Sequence, residues 1–196
     1  MEIVVNDTNI FIDLYSIGLL EEFFELPITV HTVDFVINEL KEPEQLKAIN
    51  EFIKNGKLKV QNFDTKELID IIDLQSRAGG NVSITDCAVW HYAKINNYAL
   101  LTGDGQLRKK AIETNVTVKG IVYVFDYLVE TKILSPQLAI TKIQNLKVGF
   151  ADCKYENDMA EIVSEIKNSF TVTNTTAAVS GRDMLTGEEL RNYIKY

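Results

Sequence analysis

Ile3, Val4 and Val5 form a short apolar run between Glu2 and Asn6. A run of this length with no polar alternation suits a strand buried on both faces of a parallel sheet. Ile10, Leu14 and Ile17 then recur at helical spacing until Gly18 interrupts them, and Leu19 to Leu26 reads as a second helical piece that Pro27 ends. Ile28 to His31 reads as a second strand. Val33, Val36, Ile37 and Leu40 lie on one helical face, with Glu39 near its end. Pro43 opens a further helix to Lys54, and Asn55-Gly56 stops it. Leu58 to Phe63 alternates as a third strand. Asp64 caps a helix over Lys66 to Arg77, broken by Ala78-Gly79-Gly80.

Ser83-Ile84-Thr85-Asp86 has the form of a capping box with Asp in the usual Glu or Gln place, opening a helix to about Asn96. Tyr98 to Thr102 reads as a fourth strand, Gly103-Asp104-Gly105 as a tight loop and Gln106 to Thr114 as a helix. Val116 to Lys119 is a short fifth strand. Helices over Val122 to Thr131 and Pro136 to Leu146 close the region. Strands alternating with helices predict an α/β domain with a mostly parallel five-stranded sheet, over residues 1–148.

Beyond it the pattern changes. A helix with Met159, Ile162, Val163 and Ile166 on one face is expected over Asn157 to Lys167. A polar Thr/Ser/Ala-rich linker spans about 171–181, and Thr186-Gly187-Glu188-Glu189 starts a short amphipathic docking segment. Residues 149–196 are therefore expected to form a C-terminal helical extension.

Composition narrows the class. The chain of 196 residues is 46% hydrophobic and 24% charged, an ordinary globular mix. No apolar run approaches the roughly 20 residues needed to cross a bilayer. The start, MEIVVNDTN, lacks the basic and long apolar parts of a signal peptide. Cys87 and Cys153 cannot make a disulfide framework, and no CxxC pair suggests zinc. A reduced, cytoplasmic protein with no membrane role is the expectation. The net charge of −8 disfavours bulk electrostatic grip on nucleic acid, but not a nuclease whose acids are neutralised by metal.

Ligands of open α/β sheets collect at the carboxyl ends of strands, where strand order switches. Asp7 follows the first strand, Asp104 follows the fourth, and Asp86 lies in the first turn of the helix leading to the fourth. Glu39, from the helix after the second strand, can reach the same edge. Converging carboxylates cannot all stay ionised without a cation. Oxygen-only donors favour Mg²⁺ or Mn²⁺ over zinc, and such ions serve in-line phosphoryl chemistry.

At these residues the chain resembles the PIN-domain nucleases. The matching stretches are VVNDTNIFIDL at 4–14, FVINEL at 35–40 and SITDCAVWHYAKINNYALLTGDGQL at 83–107, in the order Asp–Glu–Asp–Asp. The resemblance covers about residues 1–145. It implies a Rossmann-like three-layer α/β/α sandwich and Mg²⁺- or Mn²⁺-dependent endonucleolytic cleavage of phosphodiester bonds in single-stranded RNA. Many members resemble VapC, the toxin of a toxin–antitoxin pair. The match makes Asp7, Glu39 and Asp86 the core catalytic and metal-binding acids. Asp104 takes the fourth, more variable position, which the flanking glycines are expected to loosen. Asn9 and Thr102 take supporting positions. An antitoxin protein, a homodimer partner, or the chain's own tail docking with Arg182, Arg191 and Lys195 near the acids are the partners this reading allows.

Simpler roles stand beside these. Asp7, Asp86 and Asp104 suit helix caps or turns, and Glu39 a solvated helix. Asp13, Asp70 and Asp73 are expected to be solvated or paired. Asp34 lies five residues before Glu39 and points elsewhere. His31 and His91 lack metal-ligand spacing, and Trp90 and Tyr92 read as packing residues. Arg108-Lys109-Lys110 is either a solvated helix face or a contact to RNA phosphates. A haloacid-dehalogenase-type phosphatase wants a second Asp where Asn9 stands, and a response-regulator receiver wants an acidic pair and a later lysine that are not found. A non-catalytic RNA-binding or scaffold module of the same fold is the alternative from a different class.

Overall fold

The structure, a computed structural model, describes residues 2–79 and 82–149. The expected extension, with its linker at 171–181 and its docking segment, lies outside the described residues, apart from Gly149. The described residues fall in two compact units that meet in sequence at Ile121 and Val122.

The first unit holds a five-stranded sheet in which every pair of neighbours is parallel. Its strands are β1 (Glu2–Asn6), β2 (Ile28–Val33), β3 (Leu58–Gln61), β4 (Ala99–Leu101) and β5 (Val118–Lys119), in the order β3-β2-β1-β4-β5. The chain builds outward from β1 to β3, then returns to the other side of β1 for β4 and β5. The order therefore reverses between β1 and β4. Helices α1 (Thr8–Ser16) and α2 (Leu20–Phe23) join β1 to β2, and α3 (Asp34–Glu39) and α4 (Pro43–Lys54) join β2 to β3. Helices α5 (Thr65–Ala78) and α6 (Ile84–Asn96) return the chain to β4, and α7 (Gly105–Glu113) leads to β5. Right-handed crossovers on the two sides of β1 place helices on opposite faces. This is the three-layer α/β/α sandwich expected from the sequence.

The apolar run of β1 is read correctly as a two-sided burial: Val4 and Val5 are fully enclosed, as is Leu100 of the neighbouring β4. α6 carries the middle of the domain. Cys87, Ala88, Val89, Trp90 and Ala93 are buried on it, and it packs against β1, β2, β4 and α5. A buried helix need not show a polar face, and α6 accordingly shows little alternation. Trp90 is a packing residue whose indole N–H donates to Thr114 Oγ1 at 2.8 Å. The second unit takes α8 (Ile121–Glu130) from its second residue, with Val124, Phe125 and Leu128 buried, and continues with α9 (Pro136–Gly149). Among the described residues no helix is long and apolar enough to cross a membrane.

Several expected boundaries shift: β2 runs on to include Val33, β4 stops before Thr102, and three further shifts have local reasons. Tyr98 is not in β4, because its N–H bonds to Ala93 O and closes α6 behind Asn97, which takes the left-handed conformation at φ 54°. Val116 is not in β5, because its N–H bonds to Ala111 O and closes α7 behind Asn115 at φ 63°. Phe63 leaves β3 one residue before Asp64, which caps α5 in a full capping box with Glu67.

Candidate active site

β1 ends at Asn6, and the next residue, Asp7, sits at the reversal in strand order. It is only 3% exposed. Its N–H continues the sheet ladder to Leu101 O at 3.0 Å, while its side chain caps α1: Oδ1 accepts from Thr8 N at 2.7 Å. Across the reversal, Thr102 follows β4 and is fully buried. Its hydroxyl donates to Asp7 Oδ2 at 2.7 Å and accepts from Asp104 N at 3.1 Å. Asn9 completes the lattice. Its Nδ2 donates to Asp7 Oδ2 at 2.9 Å, and its Oδ1 accepts from Gly103 N at 2.9 Å.

These bonds correct one expectation. The glycines do not loosen Asp104. Gly103 is tied to Asn9, and a Cβ there would meet Asn9 Oδ1 at 3.4 Å. Gly105 is the first residue of α7, and Asp104 caps that helix, with Oδ1 accepting from Leu107 N at 2.6 Å. Asp86 likewise serves its own helix: Oδ2 accepts from Ser83 N at 2.7 Å, within the capping box that opens α6. The simple capping roles read from the sequence are therefore all realised. Each also places a carboxylate at a helix N-terminus, where the helix dipole favours negative charge.

Glu39 is the last residue of α3 and is exposed. Its Oε2 accepts from the Thr8 hydroxyl at 2.7 Å, across 31 residues of sequence. Thr8 was not singled out in the sequence. The signal was present only as a hydroxyl next to Asp7, and nothing local ties it to Glu39.

The acids feel one another. Burial pushes the Asp7 carboxyl up to about 6; the bonds from Thr102 and Thr8 oppose this, and the charges of Asp86 and Glu39 add to it. Asp86 is raised by burial first, against its two bonds from Ser83, and further by Asp104 and Glu39. So all four expected acids share one electrostatic neighbourhood. No described ion pair includes any of them. As they stand, however, no three His, Cys, Asp or Glu side chains among the described residues form a group that could hold a metal ion. Each Asp has an oxygen committed to its own helix, and Glu39 has one committed to Thr8. The donor set is all oxygen and net anionic, which fits a hard divalent cation in its chemistry.

The other sequence readings divide. Asp13 is neither fully solvated nor paired: it is half-buried, and burial alone pushes its carboxyl up to about 6. His31 is a core histidine, with Nδ1 2.9 Å from the Tyr92 hydroxyl. Lys109 is exposed, and Lys110 lies 3.7 Å from Glu113 on its own helix. Arg108 is half-buried against the Thr102 carbonyl, to which its Nη1 donates at 3.2 Å.

A parallel sheet with a buried carboxylate, Asp7, at the strand-order reversal, braced by Thr102 and Asn9, defines the class of α/β domain. The PIN domain family model, DUF3368, matches residues 3–157, and the chain belongs to the PIN-domain family. The resemblance read from the sequence is thereby borne out. Among solved structures, the chain is similar to VapBC2 from Rickettsia felis, solved bound to a DNA fragment from its promoter. The identity is 19% and the TM-score 0.42, covering 60% of this chain and 98% of that one. It is similar to a PilT N-terminus domain protein from Sulfolobus solfataricus P2, at 15% identity and TM-score 0.40, over 65% of this chain and 94% of that one. It is also similar to FitAcB from Neisseria gonorrhoeae, at 13% identity and TM-score 0.37, over 59% of this chain and 95% of that one. No curated protein gives a significant match.

Proposed function

We propose that the protein is a ribonuclease that hydrolyses phosphodiester bonds of single-stranded RNA with Mg²⁺ or Mn²⁺, using Asp7, Glu39, Asp86 and Asp104. The observation that carries this reading is Asp7. It is a carboxylate buried at the strand-order reversal and pushed up to about 6, and the charges that add to the effect of burial are further carboxylates rather than a cation. A fold does not retain such a group for its own stability, because burying a charge without a counterion is costly. A bound divalent ion would remove that cost, lower the pKa of a water nucleophile and stabilise the charge of the phosphoryl transition state.

The chain's own residues do the rest. Thr102 and Asn9 hold Asp7 Oδ2, and Thr8 holds Glu39. These bonds hold the Asp7 and Glu39 carboxylates in one orientation, which supports the preorganisation that an acid site needs. Asp86 stands in the first turn of α6, held by the Ser83 capping box, and Asp104 is the N-cap of α7.

The test is cleavage of a labelled single-stranded RNA with added Mg²⁺ or Mn²⁺. The wild-type chain cuts, EDTA stops it, and Asp7→Asn or Asp86→Asn abolishes it. Cleavage that survives both substitutions refutes the reading. The finer role we propose is the toxin of a toxin–antitoxin pair, with the antitoxin as protein partner. Expression that arrests growth, with the arrest lost in Asp7→Asn, supports it; harmless expression of an active enzyme opposes it.

One observation favours a second reading. The acids as they stand do not form a metal-holding group among the described residues. A non-catalytic PIN-fold RNA-binding or scaffold protein would need none. It predicts RNA binding that is indifferent to metal and to Asp7→Asn.

A further inference from the structure

Arg108, Lys109 and Lys110 are consecutive on α7, yet one of them stands apart. Lys109 is exposed and Lys110 lies near Glu113 of its own helix. Arg108 instead lies across the ends of two strands. Its Nη1 donates at 3.2 Å to the carbonyl of Thr102, the residue after β4, and a Cβ on Gly120, the residue after β5, would fall 3.1 Å from the same nitrogen. Gly120 is not among the glycines with positive φ. Glycine at this position therefore provides room for the guanidinium rather than a turn.

Thr102 links this cation to Asp7. Its carbonyl holds Arg108 while its hydroxyl holds Asp7. A guanidinium has five N–H donors. One described bond uses one of them, and no described ion pair includes Arg108. An arginine held by the residue that also holds Asp7, and in no described ion pair, keeps its charge for another anion. Its planar fork matches the oxygens of a phosphate.

We propose that Arg108 binds a backbone phosphate of single-stranded RNA beside the bond to be cut, and that Gly120 makes the space that seats it. This rests on the ribonuclease reading above and divides the basic run that the sequence offers as one, Arg108-Lys109-Lys110. Arg108 is the selective contact, and Lys109 belongs to the solvated helix face.

The experiment measures binding of a fluorescent single-stranded RNA oligonucleotide in Mg²⁺ buffer, using the full chain carrying Asp7→Asn to prevent cleavage, over a range of salt. Adding Arg108→Gln weakens binding about tenfold and lowers the slope of log affinity against log salt by about 0.7, the loss of one phosphate contact on a single strand. Gly120→Ala, which keeps the charge but displaces the guanidinium by a few tenths of an ångström, weakens binding by less. Lys109→Gln changes it by under about twofold. Unchanged affinity and slope in Arg108→Gln overturn the proposal, and so does a Lys109→Gln loss as large as that of Arg108→Gln. A fall in melting temperature with no change in slope also overturns it, because it assigns Arg108 to bracing the strand ends alone. Cleavage persisting in the Asp7→Asn chain refutes the ribonuclease site instead, and the salt slopes still decide the role of Arg108.

Discussion

Replacing Asp7 with Asn is expected to stabilise the metal-free protein while destroying its activity. The Asp7 carboxyl rises from an ordinary 3.8 to about 6 in the fold, with burial as the largest cause. That rise corresponds to about 3 kcal/mol of destabilisation of the charged form. Asn removes the charge and keeps the acceptor for Thr8 N. Its amide no longer accepts from Asn9 Nδ2, which costs about 1 kcal/mol. The Thr102 hydroxyl can rotate to accept instead of donating. The net gain is about 2 kcal/mol above pH 6, or roughly 4–8 °C in melting temperature for a chain of this size. The pH dependence follows from the same shift. A carboxyl whose folded pKa lies above its unfolded value imposes no cost below 3.8, an increasing cost up to about 6 and a constant one beyond. Asp7→Asn should therefore be the more stable chain by about 2 kcal/mol at pH 8 and the less stable by about 1 kcal/mol at pH 3.5, where only the lost Asn9 bond remains. Mg²⁺ reverses the order. At a hundred times its dissociation constant it adds about 2.7 kcal/mol to the wild type and nothing to a variant that does not bind it. The assay is thermal unfolding in EDTA and in Mg²⁺ at both pH values. An Asp7→Asn chain less stable than wild type at pH 8 in EDTA, or a gap that ignores pH, refutes this reasoning.

Three further outcomes are expected. Thr8→Val removes the hydroxyl from Glu39 but keeps the backbone cap on Asp7; turnover should fall about tenfold, with little change in melting temperature, and unchanged turnover would detach Thr8 from the site. Burial first, and the charge of Lys59 second, lower the pKa of His31, so its contribution to stability is complete above pH 6.5 and is lost as pH falls below that value; urea midpoints should drop from pH 7 to pH 5, less steeply in His31→Gln. Cys87 is fully buried and its thiol is pushed up to about 11, by burial and then by Asp86; in a Cys153→Ser chain a disulfide reagent at pH 8 should label it only on unfolding.

The order of strands and helices is legible in the sequence because each signal is local. The unbroken apolar run of β1 declares a two-sided strand, and the caps at Asp64 and Ser83 declare the starts of α5 and α6. The ends of β4 and β5 are less legible. Tyr98 and Val116 have strand-like side chains, but backbone bonds to Ala93 and Ala111 claim them for helix ends. The positions of the candidate acids are legible for the same reason, since Asp7, Asp86 and Asp104 all stand at helix starts. Their mutual relations are not. The Thr102 bond to Asp7 spans 95 residues and the Thr8 bond to Glu39 spans 31, and both exist only because β1 and β4 are neighbours and α3 returns to α1. Arg108 looks like part of a basic run until Gly120, twelve residues on, proves to be the space that holds it.

The account stands or falls on what the carboxylates hold. Crystals of the full chain soaked in Mn²⁺ and measured at the manganese absorption edge would answer this directly. The account predicts an anomalous peak at the carboxyl end of β1, within ligand distance of Asp7 and Asp86 and drawing in Glu39 or Asp104, and absent in Asp7→Asn. A saturated soak with no peak there, or a peak that survives Asp7→Asn, would contradict it.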